Sequence, residues 1–73
     1  MASKELESGM AKLTERQKRL LDSWAYDMKY GLLDSEMSEA KGKILGFLNA
    51  LALMGTIELR EAIEVYSYYK EVR

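Results

Sequence analysis

An all-α fold, three helices in an antiparallel arrangement, is the architecture that this 73-residue chain predicts. Three observations point to it. Proline is absent, the composition is rich in Leu, Ala, Glu and Lys, and apolar residues recur at spacings of three and four rather than two. A chain of this length makes one small domain, near the size at which a single core is only marginally stabilising.

The first helix is predicted over about 14–30. Its start is marked by "TERQ", in which the Thr14 hydroxyl can accept from the Gln17 amide while the Gln17 side chain reaches back to Thr14. Upstream, Leu6, Met10 and Leu13 lead into Leu20, Trp24 and Met28, with Gln17 at one core position, in a heptad-like stripe. An extension from about residue 3 is therefore open. Gly9 weakens those turns, however, so residues 1–13 read as a polar lead-in, partly helical or frayed, before a single helical domain over 14–73. Gly31 is expected to close the helix as a left-handed cap, with Leu32 making the accompanying hydrophobic contact.

"LLDSEMSEA" restarts the chain. Asp34 or Ser35 can cap a second helix over about 35–54, and Glu36 and Glu39 suit the positive end of its dipole. Gly55 should terminate it and Ile57 anchor the turn, leaving a third helix over about 58–72. So short a connection makes helices two and three antiparallel neighbours.

The stretch "KGKILGFLNALALMG" carries glycines inside an apolar helix. A phosphate-binding loop would need glycine where Met37 stands and Ser or Thr where Ile44 stands, so that chemistry is rejected. Wound at about 100° per residue, Met37, Ala40, Ile44, Phe47, Leu48, Leu51 and Met54 gather on one face. Gly42, Gly46, Asn49 and Leu53 gather on the other, with Ala50 beside them and Leu45 to one side. Residues without bulk allow close helix approach, so both faces ask for burial. Either helix two is central, with helices one and three on its two seams, or the small seam meets a second copy or another protein. In the second case Asn49 can fix register.

Helix three spreads Leu59, Ala62, Ile63, Val65, Tyr66, Tyr69 and Val72 over more than half its circumference, leaving Arg60, Glu61, Glu64, Ser67 and Glu71 as the polar remainder. An arc that wide exceeds the usual surface helix. It favours a homo-oligomer, most simply a two-fold dimer. On helix one, Arg19, Tyr26 and Tyr30 form a second candidate protein-contact surface, since Arg and Tyr combine large contact area with polar reach. Lys12, Arg16 and Arg19 share a face and support an alternative, a small nucleic-acid-binding regulator. The acidic residues Glu58, Glu61 and Glu64 of helix three oppose it.

Other classes find little support. With no cysteine and no histidine, neither thiol nor imidazole chemistry is open, and the Glu-x-x-His pairs of carboxylate metal sites cannot form. No enzyme, metal, cofactor or small-molecule substrate is expected. Glu15 with Arg19 and Glu39 with Lys43 are spaced for helical salt bridges. The longest apolar run, 44–57, contains Asn49 and falls short of the roughly 20 residues a membrane span needs. The polar amino end does not read as a signal peptide, so a cytoplasmic protein is expected.

The segment "AKGKILGFLNALALMGTIELREAIEVYSYY" resembles the closing hairpin of small helical proteins carried by phages and mobile elements of Gram-positive bacteria. Gly42, Gly46, Leu51, Gly55, Ile57 and Glu61 carry the likeness, and Glu58 departs from it where Ser, Thr or Asp would cap. The resemblance implies a non-enzymatic accessory or interaction protein, a modulator of a host or replication factor, and assigns no binding residue.

Overall fold

The computed structural model describes residues 3–71, and every regular element among them is helical. There are four helices rather than three: α1 (Lys4–Lys12), α2 (Glu15–Tyr30), α3 (Asp34–Leu53) and α4 (Leu59–Glu71). The predicted end of the last helix, Val72, lies outside the described residues. The all-α class holds and the three-helix arrangement does not, because the lead-in is a helix in its own right.

That helix begins where the Ser3 side chain accepts from the Leu6 N–H at 3.0 Å. It stops because Leu13 and Thr14 are both extended, with ψ of 141° and 163°. Thr14 then opens α2 with both halves of the anticipated capping box, at 3.1 and 2.9 Å. This two-residue break resets the helical phase. The stripe running through Gln17 to Leu20 therefore does not continue: Leu21 and Ala25 are the buried residues of α2, Trp24 and Met28 flank them, and Leu20 is exposed.

The helices pair in sequence except for the first. α2 packs on α3, α3 on α4, and α1 crosses back to α4. One core joins them, built from Leu13, Leu21, Ile44, Leu48, Leu51, Ile57, Val65 and Tyr69 with small Ala25 and Ala62 between. Trp24 meets Phe47 edge to face at 5.7 Å across the α2–α3 contact.

Gly9 is what lets α1 dock. A methyl group there would lie 2.9 Å from Val65 Cγ2 and 3.1 Å from Glu61 Cβ, so the α1 backbone rests directly on α4. The glycine expected to weaken the first turns is their point of closest approach.

The turns differ from expectation in one case and follow it in the other. Gly31 has φ −59°, not a left-handed value. Its N–H bonds the Asp27 carbonyl at 2.9 Å, and a side chain would stand 2.6 Å from that same oxygen, so room rather than handedness is what it provides. Neither Asp34 nor Ser35 caps α3. The N-cap is Leu33, without a side-chain bond, and Glu36 instead accepts from the Leu32 N–H at 3.2 Å. At the other end Gly55 has φ 79°, the Thr56 N–H reaches Leu51 O at 2.9 Å and the Gly55 N–H reaches Ala52 O at 3.1 Å. These are the paired bonds of a Schellman motif, and Ile57 is buried beyond them as its anchor. Met54, expected on the bulky face of this helix, is exposed because it sits past the last full turn. Of the two anticipated helical salt bridges, Glu39–Lys43 forms at 3.6 Å, while Glu15 approaches Lys18 at 3.9 Å rather than Arg19.

Candidate functional site

Two features stand out for their chemistry: a buried carboxylate between α1 and α4, and an uncovered apolar face along α3 and α4. The carboxylate belongs to Glu61, which is only 3% exposed although its sequence position suggested the polar side of the last helix. It accepts from the Lys12 ammonium at 2.8 Å, from the Glu58 N–H at 2.8 Å and from the Ser8 hydroxyl. The bond to Glu58 is the N3 half of a capping box, so a side chain three residues into α4 performs what Glu58 itself does not. The backbone bond from Glu58, then the bonds from Lys12 and Ser8, hold the Glu61 carboxyl well below its ordinary range, at about 2. An acid that is always ionised and fully engaged has no capacity to transfer protons near neutrality. Its work is to tie α1 to the start of α4. Tyr69, buried at the opposite end of α4, is pushed well above the ordinary phenol range by desolvation and by the neighbouring Asp22 charge, and stays neutral.

The apolar face starts from the phase of α3. Ala40, Ile44, Leu48 and Leu51 point into the core, which turns Gly42, Gly46, Asn49 and Leu53 away from it. A methyl group on Gly42 or Gly46 would meet nothing within 4 Å. No described helix fills this seam: α2 and α4 both pack on the other side of α3, so the arrangement with a helix on each seam does not occur. Beside the seam, α4 contributes Leu59 and Ile63, 62% and 57% exposed, while Leu45 and Leu53 of α3 are 51% and 80% exposed. A shallow apolar hollow of about 100 Å³ runs between the two helices, floored by Leu48 and Ala62 and bordered by Asn49 and Tyr66.

This face is open because α1 takes the other flank of α4. With Gly9 seated on Val65, α4 directs Glu61, Ala62, Val65 and Tyr69 inward and keeps Tyr66 half-buried, which leaves Leu59 and Ile63 facing out. The wide apolar arc of the last helix was thus apparent beforehand. Which part of it stays uncovered was not, since that depends on where α1 lands.

Tyr26 and Tyr30 form the expected ledge on α2, with ring centroids 4.9 Å apart, both rings exposed and Arg19 about two turns upstream of Tyr26. By helical phase the ledge lies on the side of α2 opposite Leu21 and Ala25, whereas the glycine seam lies on the far side of α3. The seven predicted contact residues therefore divide between two separate surfaces. The basic face expected of Lys12, Arg16 and Arg19 does not assemble: Lys12 sits on α1 and spends its charge on Glu61, leaving Arg16 and Arg19 exposed on α2.

No family model, curated protein or solved structure matches this chain. No described helix is long and apolar enough to cross a membrane, and among the described residues no group of three or more acidic side chains converges as a metal site would require.

Proposed function

We propose that the protein is a non-enzymatic interaction module that self-associates, and that the α3–α4 face is its contact surface. The observation that carries this reading is the joint exposure of Leu45, Leu59 and Ile63 around one hollow, with Leu53 exposed on the adjoining seam of α3. At those exposures the four residues leave on the order of 450 Å² in water, within the range of the largest apolar patch on a typical monomer, which is often functional. Covering it on two copies, together with the intervening glycine backbone and a polar rim, brings the total to roughly 1,200 Å², the lower end of stable interfaces. The α2 ledge, two tyrosine rings with Arg19 toward one end, is smaller and supports at most a secondary contact.

Sedimentation equilibrium tests the proposal. The wild-type chain is expected to be dimeric at micromolar concentration, and Gly46→Leu, which places a large side chain in open space on α3, is expected to shift it to monomer while circular dichroism is unchanged. A wild-type monomer at all concentrations, or a Gly46→Leu variant that assembles normally with its fold intact, would overturn it.

A further inference from the structure

We infer that the occupant of the α3–α4 face is a second copy of this chain whose α3 runs antiparallel to the first, so that Leu53 of each copy seats over Gly42 of the other; this rests on the self-association proposed above. The outward seam of α3 reads glycine, glycine, asparagine, leucine at 42, 46, 49 and 53, and its spacing of four, three, four is the same in both directions. A two-fold axis at the middle of that seam pairs position 42 with 53 and position 46 with 49. Each large residue then faces a residue with no side chain. Leu53 projects into solvent, 80% exposed, and Gly42 has nothing within 4 Å of where a Cβ would be, so the knob and the space both exist in the folded monomer.

The same rotation sets Asn49 against the partner's Gly46, where its amide can reach helical backbone exposed by the missing side chain. A lone polar residue at the centre of an apolar seam discriminates against shifted registers, because any slip buries it without a partner.

Charge selects the antiparallel direction. Lys41 and Lys43 stand at one end of the seam. The other end holds the C-terminal carbonyls of α3 at the Gly55 turn, with Glu58 just beyond. Lys43 is already paired with Glu39 of its own helix at 3.6 Å, so antiparallel pairing brings Lys41 of each copy toward the negative helix end of the other. A parallel pair would instead stack lysine on lysine, Leu53 on its twin, and leave the two glycines facing an empty gap. Because Leu59 and Ile63 flank the seam on the α4 side, the two-fold carries their exposed edge toward its counterpart and completes the apolar cover.

The absence of cysteine makes the arrangement directly testable with single-cysteine variants in a glutathione redox buffer. In the proposed register, residue 49 lies about 4.5 Å along the axis from its twin and residue 53 about 16 Å from its own. The former is within disulfide reach across a close helix pair and the latter is not. Asn49→Cys is expected to form a covalent dimer readily. Leu53→Cys alone should remain unbridged, and a mixture of Gly42→Cys and Leu53→Cys chains should yield the cross-linked heterodimer. If Leu53→Cys bridges to itself as readily as Asn49→Cys, the pair is parallel and the inference fails. Failure of Asn49→Cys to bridge while the chain sediments as a dimer would also overturn the register, with self-association standing. A chain that sediments only as monomer would remove both.

Discussion

Glycines at positions 9 and 46 are both helical, yet their surroundings give them opposite roles. At Gly9 an added methyl group collides with buried Val65 and the Glu61 stem, so the helix-propensity gain of about 1 kcal/mol is outweighed by overpacking. Gly9→Ala is expected to destabilise the fold by roughly 1–2 kcal/mol in urea unfolding. Under conditions that keep the chain monomeric, Gly46→Ala is expected to stabilise it by up to about 1 kcal/mol, because nothing opposes the new side chain. Glu61 offers a second test at this scale. Its folded pKa of about 2 lies below the ordinary 4.5, so the carboxylate contributes stability that is fully present above about pH 4.5 and is lost as pH falls toward 2. Glu61→Gln should lower the melting temperature at pH 7 and flatten its dependence on pH across that acid window. A variant that keeps the wild-type acid profile would show that other carboxylates govern it. Neither role could be read from residue type alone, since Gly9 and Glu61 acquire them only by meeting each other across α1 and α4.

Among elements, the best-anticipated are those whose ends are made by neighbours in sequence. The Thr14 capping box and the Gly55 turn depend on bonds spanning three to five residues, and both form as the local pattern dictates. Gly55→Ala is expected to cost about 1–2 kcal/mol, because its φ of 79° strains any residue bearing a Cβ. An unchanged thermal midpoint in that variant would mean the turn relaxes to a right-handed geometry. Where the local signals were ambiguous, the structure chose differently. Gly31 is held at φ −59° by close approach to Asp27, and α3 is capped at Leu33, ahead of the Asp34 or Ser35 expected there. The first helix is the clearest case. A glycine, several charges and only two large apolar residues, Leu6 and Met10, make Lys4–Lys12 a weak helix in isolation, and its stability comes from the surface of α4.

For the molecule as a whole, α1 completes the core that the remaining three helices leave open on one flank. Its removal would expose Val65 and leave Glu61 without Lys12 and Ser8. A chain beginning at Leu13 is therefore expected to lose at least about 3 kcal/mol, a large share of what a domain of this size possesses. Hydrogen exchange should show its α4 amides losing protection first. Wild-type unfolding by the shortened chain would make α1 an appendage rather than part of the fold. The position of α1 also determines function as proposed here, since by occupying one side of α4 it leaves the Leu59–Ile63 side for a partner.

By itself the sequence determined the helical class, the capping box that opens α2, the left-handed glycine at 55 that ends α3, and the two-faced character of α3. All of these follow from short-range bonds or from the helical period, which need no knowledge of what lies across the core. Only the tertiary structure decided that Lys4–Lys12 form a fourth helix, that Glu61 sits under it beside Val65, and that the glycine seam faces away from every other described helix. Those outcomes turn on how helices of fixed pattern are rotated against one another, and that rotation is set by which flank of α4 the backbone at Gly9 can approach closely enough to bury.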